Sequence, residues 1–409
     1  MYEDGDMETV VITGLGVISS IGTGVGEFRS GLREGRSGAK PITAFDASGF
    51  AHSMGCEVTG FDARQWLERL TPENTGRATQ FAIAAARMAV QDSGLDIEHL
   101  RQRRVLVSIG TNDGEARDLD TLTEQHLAGG AQALDPALAE RADANRIASG
   151  VVRELGLRDV ETMTIVTACA AGNYAIGSAF DAIRAGDADF ALCGGTDAVC
   201  RKTFTGFYRF GTVAPERCQP FDRDRKGLLP SEGSGVLVLE TLRSALARGA
   251  AIYAEVLGYG LNCDAGHAVA PDQDNLARCI RRAHENAGIK PEDVDLISAH
   301  GTGTPTNDVV ETGAIHQVFD APPPTVSVKS MLGHAMGAAS ALAAIACALA
   351  IRESFIPPTI NHVHTDPECD LDCVPNHARE ATLNVVQNNA LAFAGNNAVL
   401  VLGRPREEP

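Results

Sequence analysis

Large aromatic side chains are scarce in this 409-residue chain, which has one Trp, five Tyr and 14 Phe. A core built on rings is thereby excluded, and 42 glycines point instead to small side chains and close backbone approach. Basic residues are also in short supply, with 35 against 53 acidic and a formal net charge of −18. A dedicated nucleic-acid binder needs net or clustered positive charge to neutralise phosphates, so no nucleic-acid partner is expected. A local patch can still oppose the mean and meet an acidic protein. No run reaches the roughly 20 strongly apolar residues of a membrane span. The nearest, 335–351, is rich in Ala and Gly and reads as a buried helix, so no membrane association is expected. The ten cysteines include no C-x-x-C pair, and the start MYEDGDMETVVITG has no basic, apolar leader. Reduced thiols in a cytoplasmic protein follow. No Gly-rich stretch forms G-x-x-x-x-G-K-[ST] or a strand–GxGxxG–helix unit, so no nucleotide cofactor is expected.

What the chain does contain is short apolar strands alternating with Ala-rich helical stretches. Strands are expected at 9–18, 105–109, 163–167, 190–192, 254–259, 296–299 and 398–402, with one more near 390. Helices are expected at 80–93, 170–185, 274–287 and 335–351. Continuous buried strands separated by helices imply an α/β architecture with sheets covered on both faces. No linker interrupts the pattern, which predicts two intimately packed halves, 1–252 and 253–409. The halves rhyme weakly, since VLVSIGTNDG (105–114) and LISAHGTGTP (296–305) both run from a strand into a Gly/Thr turn.

Three segments combine reactive side chains with tight backbone. Cys169 lies where an apolar strand meets a small-residue helix, and a helix N-terminus favours thiolate over thiol. The plainer reading is a buried inert cysteine, the usual fate of Cys in an apolar run. His300 stands at a strand end followed by glycines, a place where an isolated histidine is more often structural than catalytic. His334 is expected at the start of the long Ala-rich helix, where the dipole keeps its ring neutral. Together they are one nucleophile and two proton handlers or hydrogen-bond donors. His362, His364, Cys369 and Cys373 are four further ligand types close in sequence, but their spacing fits no common zinc pattern, and no metal is expected.

Read in order, these segments resemble the β-ketoacyl synthase (ketosynthase) family of the thiolase superfamily. The matches are TACAAG around Cys169, AHGTGTP around His300 and KSMLGHAMGA around Lys329 and His334. VVITGLGVISSIG, PFDRDRKGLLPSEGSG, CDLDCVPNHARE and AFAGNNAVLVL extend the likeness over essentially the whole chain. The resemblance implies a five-layered α-β-α-β-α thiolase-like fold of two duplicated halves. It implies that Cys169 accepts an acyl group from the phosphopantetheine arm of an acyl carrier protein. His300 and His334 would hold the thioester carbonyl of a malonyl extender while it loses CO2, and the enolate would attack the Cys169 thioester. The backbone N–H groups of Cys169 and Phe393 would form the oxyanion hole. Lys329 and Glu311 match a buried pair that orients the site or is purely structural. Thr302 and Thr304 match residues of the pantetheine tunnel, and Phe207 and Phe393 match the gate of the acyl pocket. No bound cofactor is implied beyond phosphopantetheine-linked substrates.

The departures bear on specificity. The closing loop reads AFAGNN where the family usually reads GFGGTN, so it should be stiffer. His267-Ala-Val-Ala replaces a His-Met-Thr and removes a hydroxyl near the extender. Asp113 stands where fatty-acid enzymes present an aliphatic residue to the acyl chain. An unpaired carboxylate there disfavours a long saturated chain; otherwise Asp113 caps a helix and touches no substrate. An acidic carrier calls for a basic patch, for which Arg201, Lys202 and Arg209 are candidates, with 101–104 as another. The expected partners are an acyl carrier protein and a second ketosynthase-like subunit, as homodimer or as heterodimer with a chain-length subunit. The expected activity is decarboxylative Claisen condensation in polyketide or specialised fatty-acid biosynthesis. A ketosynthase-like acyltransferase or cyclase that does not condense with malonyl, and a housekeeping fatty-acid elongation synthase, are the alternatives.

Overall fold

Ten strands carry the architecture of this protein, whose computed structural model describes residues 8–405. In the first half they are β1 (Val10–Ser19), β2 (Val105–Gly110), β3 (Val160–Ile165), β4 (Phe190–Asp197) and β5 (Gly233–Thr241). In the second they are β6 (Ala254–Cys263), β7 (Leu296–Ser298), β8 (Thr325–Val326), β9 (Val385–Leu391) and β10 (Asn396–Gly403). The order across the molecule is β8-β7-β9-β10-β6-β1-β5-β4-β2-β3. Each half therefore places its own strands in the sequence third, second, fourth, fifth, first. The senses repeat as well. In the first half β2 runs parallel to β3 and β4, while β4–β5 and β5–β1 are antiparallel. In the second, β7 runs parallel to β8 and β9, while β9–β10 and β10–β6 are antiparallel. The two half-sheets meet through a short antiparallel pairing of Val10–Ile12 with Ala254–Val256. The weak rhyme of β2 with β7 is one register of a complete duplication.

Seven helices matter for the site: α1 (Arg77–Asp92), α2 (Ala116–Gly129), α3 (Ala171–Ala185), α4 (Arg201–Arg209), α5 (Gln273–Ala287), α6 (Pro305–Val318) and α7 (Ala339–Glu353). Helix α1 covers the outer face of the first half-sheet, α5 and α6 cover that of the second, and α3 and α7 lie between the two. That gives five layers. The central helices can be this deep because their side chains are small. Every residue of α7 from Ala339 to Ile351 is buried, and a Cβ added at Gly172 in α3 would lie 2.7 Å from the backbone nitrogen of Ala341 in α7. The segment Met336–Glu353 is apolar and long enough to cross a membrane, but 89% of it is buried against the sheets. The scarcity of large aromatics thus has a structural counterpart in closely crossed backbones.

Two expected elements shift. The strand expected at 163–167 is β3, an edge strand whose residues are half-buried or exposed rather than buried, because it ends the sheet. Helix α7 starts at Ala339 instead of 335. Met336 adopts φ 51, which no α-helix continues through, and a short 3-10 turn (Met336–Ala338) intervenes. His334 consequently lies outside the helix.

Candidate active site

Cys169 occupies a 3-10 turn (Ala168–Ala170) between the end of β3 and the start of α3. Ala168 takes φ 49, a left-handed conformation that costs a non-Gly residue about 1–2 kcal/mol. This strained turn delivers Cys169 into the interior, where it is 4% exposed. His300 follows β7 on a loop whose glycines Gly301 and Gly303 take φ 37 and 74. The Glu311 carboxylate, from α6, accepts the backbone N–H groups of His300 and Gly301 at 2.8 Å each. Lys329 Nζ donates to the carbonyl of His300 at 2.6 Å and lies 3.4 Å from its Nδ1. The Nδ1 of His334 accepts the N–H of Met336 at 3.1 Å. An N–H can only donate, so the proton of that ring sits on Nε2.

The two imidazoles stand nearly perpendicular, with centroids 5.4 Å apart. Cys169 Sγ and one nitrogen of each ring lie within 4.8 Å of one another, and all three residues are buried. This trio is also the only convergence of three or more metal-ligand side chains among the described residues. His362, His364, Cys369 and Cys373 do not come together in that way.

Burial sets the protonation states. It pushes the Cys169 thiol up to about 12, an effect that the Asp197 charge reinforces and that the Lys329 ammonium and the Phe393 N–H oppose. The helix N-terminus expected beside Cys169 is present, since α3 begins two residues on at Ala171, while burial works against the thiolate. His300 and His334 are held well below the usual imidazole range by burial and by the Lys329 charge. His334 lies before the start of α7, and burial and Lys329 favour its neutral ring. Burial lowers Lys329 too, and Glu311 counteracts it. The expected Lys329–Glu311 contact pair is not formed among the described residues, since Glu311 spends its oxygens on backbone N–H groups and Asn389.

A stability consequence follows from the two histidines. Their folded-state proton affinity lies below that of the unfolded chain, so their contribution is complete above about pH 6.5 and is lost as the pH falls below it. Between pH 7 and 5.5 the pair should therefore lower the unfolding free energy. Urea unfolding of the parent and of the His300→Phe, His334→Phe double variant at both pH values checks this, as the double variant should lack that loss.

A cavity of about 290 Å³ leads to the trio and is lined by Thr302, Thr304, His267, Phe207 and Phe393. Thr302 and Thr304 hydroxyls are 2.8 Å apart. Phe207, from α4, and Phe393 stand with ring centroids at 5.4 Å across the approach to Cys169. The loop bearing Phe393 is held at both ends: Ala394 N–H donates to the Ala268 carbonyl at 2.8 Å, and Asn397 donates to Asp264 at 2.6 Å. Ala394 takes φ 62, where the family's glycine would be unstrained. His267 sits on the exposed rim, its Nδ1 accepting the N–H groups of Val269 and Ala270.

Asp113 lies beside the N-terminus of α4. It does not line this cavity, and its side chain, 2% exposed, binds Lys202 Nζ at 2.6 Å and the Thr203 hydroxyl at the start of α4. The carboxylate is paired, so no unpaired charge is buried. Lys202 is correspondingly committed to Asp113. Arg201 lies over the Phe45 ring and 3.8 Å from Glu124, while Arg209 is exposed at the end of α4. Two residues passed over in the sequence organise this corner. Asp120 accepts the N–H groups of Arg201 and Lys202 and caps α4. Asp197, fully buried, accepts from Thr111, Asn112, Asp113 and Gly337, tying three site loops together. An acidic residue ending the apolar run FALCGGTD was the available signal.

Fold and site together define a class: thiolase-like acyltransferases in which two halves of one chain meet around a thiol and two imidazoles. The β-ketoacyl synthase N-terminal domain matches residues 7–245, and its C-terminal domain matches 253–363. The chain is 41% identical to 3-oxoacyl-[acyl-carrier-protein] synthase 2 of Synechocystis sp., over 97% of this chain and 98% of that protein. It is 39% identical to the same-named protein of Coxiella burnetii, again over 97% and 98%. Among solved structures, the ishigamide ketosynthase/chain length factor superposes with a TM-score of 0.97 at 57% identity, covering 98% of this chain and 100% of that one. A type II polyketide ketosynthase, solved with its acyl-carrier protein and bound to the hexaketide, superposes at 0.90 with 32% identity over 98% and 100%. The chain belongs to the β-ketoacyl synthase family.

Proposed function

We propose that this protein is a β-ketoacyl–acyl carrier protein synthase that performs decarboxylative Claisen condensation in polyketide or specialised fatty-acid biosynthesis. The observation that carries the reading is the convergence of Cys169 Sγ with the His300 and His334 nitrogens within 4.8 Å at the end of a cavity. In this reading the nucleophile comes from the half 1–252 and both imidazoles from the half 253–409. Cys169 attacks the acyl thioester, and its proton ends on the departing pantetheine sulfur. Malonyl thioester then loses CO2, and its enolate oxygen is held by Nε2–H donors of two neutral rings. The enolate carbon attacks the acyl-Cys169 carbonyl, whose oxyanion faces the N–H groups of Cys169 and Phe393. Collapse expels the Cys169 thiolate, which takes up one proton from solvent. Lys329 and Glu311 position His300. Thr302, Thr304 and His267 line the path of the phosphopantetheine arm.

The proposed partners are an acyl carrier protein and a second ketosynthase-like chain. The α4 surface with Arg201, Lys202 and Arg209 supports carrier docking, although Lys202 must share its charge with Asp113. The open edge of β3, together with Val166 at 59%, Leu119 at 44% and Leu127 at 81% exposure, supports a covering subunit. All ten cysteines are free, which supports a cytoplasmic setting.

The test is a reaction of acyl-loaded carrier proteins with malonyl carrier protein, followed by CO2 trapping and intact-product mass spectrometry. The expected result is CO2 with a β-ketoacyl product two carbons longer. Acylation of Cys169 without CO2 would instead establish the acyltransferase or cyclase reading, which the Ala394/Asn396 loop and the His267 segment favour. A panel of saturated and unsaturated donors distinguishes the specialised from the housekeeping role.

A further inference from the structure

Strand β9 lies between β7 and β10, where a run of Val, Ile and Leu would be ordinary. It reads VVQNNAL, and Gln387, Asn388 and Asn389 are all buried, at 0%, 0% and 2% exposure. Such groups are costly unless their hydrogen bonds are made. Asn388 faces the central helices, donating to Asn173 Oδ1 and to the Ser340 carbonyl at 3.0 Å each. Gln387 and Asn389, two residues apart, share the opposite face. There Gln387 Nε2 donates to Asn389 Oδ1 at 2.7 Å, and Asn389 Nδ2 donates to Glu311 Oε1 at 3.1 Å. Behind them, His284 Nε2 lies 2.7 Å from Gln387 Oε1. An amide oxygen only accepts, so His284 is the donor and its bare Nδ1 has no partner among the described residues. The bonds all run one way: His284 to Gln387 to Asn389 to Glu311.

We propose that Asn389 is a positioning residue of the condensation site, acting with Gln387 to hold the Glu311 carboxylate that in turn fixes the His300–Gly301 backbone. The inference rests on the condensation reading for its catalytic meaning. Glu311 is wholly buried and receives three donors: Asn389 Nδ2 and the N–H groups of His300 and Gly301. The charged groups around it are Lys329, which it attracts, and Asp308 on its own helix, which repels it. Removing one donor of three makes the anion less favourable, so Glu311 takes up its proton at a higher pH. A protonated Glu311 accepts the two backbone N–H groups more weakly and no longer sustains the Lys329 ammonium that binds the carbonyl of His300. The aligned amides polarise one another, which makes Gln387 part of the same unit.

The experiment compares the parent with Asn389→Leu and Gln387→Leu, which retain bulk and delete polarity. In Asn389→Leu the acid limb of malonyl carrier protein decarboxylation should move up by about one pH unit, and in Gln387→Leu by about half as much, with KM within about twofold. The protonated-carboxyl infrared band of Glu311, assigned by its absence from Glu311→Gln, should titrate upward in parallel. Coincident infrared titrations for parent and variants would overturn the proposal, whether or not the enzyme releases CO2. A uniform loss of rate with an unmoved acid limb would likewise reduce Asn389 to a structural residue. Failure of the parent to release CO2 would count against the condensation reading, and the infrared titration would still decide the role of Asn389. If Asn389→Leu does not fold, Gln387→Leu decides by the same band.

Discussion

Cys169→Ala should show no acyl adduct in intact-protein mass spectrometry after incubation with acyl carrier protein substrates that fully load the parent. Condensation should fall at least ~10³-fold, because no other group can hold the acyl chain covalently within reach of the enolate. The effect is large for a geometric reason. Cys169 is the sulfur that lies within 4.8 Å of both ring nitrogens, and it sits at the inner end of the cavity. Nine other cysteines provide an internal control, and all but Cys263 are buried. An adduct persisting in Cys169→Ala at the parental level would place the acyl group elsewhere and sink the nucleophile assignment. The variant is expected to fold, since Ala already flanks the position on both sides and the lost volume is one sulfur.

His300→Ala and His334→Ala should each reduce CO2 release from malonyl carrier protein by about 10²–10³-fold while leaving acylation of Cys169 measurable. The split follows from protonation. Both rings are neutral, kept so by burial and by Lys329, and each donates the one N–H it keeps to the developing enolate. Loading only exchanges one thioester for another and needs less charge stabilisation. Because the rings are 5.4 Å apart and serve one oxygen, the double variant should lose far less than the product of the single effects. Additive losses would show that the two histidines act at separate steps. Loss of loading equal to loss of CO2 release would show instead that the variants collapse the site.

Much of this was legible in the chain. The alternation of apolar strands and small-residue helices announced covered sheets, because strand and helix periodicities are local properties of the backbone. The motifs around Cys169, His300 and His334 were readable because glycines and alanines must surround a side chain that enters a crowded interior. Boundaries were read less well where a single dihedral decides them, as at Met336, whose positive φ delays α7 and takes His334 off the helix. The pairing of Asp113 was not legible because its sequence neighbours say nothing of Lys202, which is remote in the chain and 2.6 Å away in space. The polar stretch QNN in β9 was visible but mute, for its partners Glu311 and His284 lie on other elements.

The sequence by itself determined which residues could react and an α/β architecture of covered sheets from local pattern, and the five-layered duplicated plan through the family resemblance that its motifs carry. The tertiary structure alone decided the protonation states and the contacts among charges. Burial pushes the thiol up and holds both imidazoles down, the fold gives the Glu311 oxygens to backbone N–H groups and Asn389, and it brings Asp113 to Lys202. Desolvation and charge pairing depend on which distant segments exclude water together, and no stretch of sequence carries that information alone.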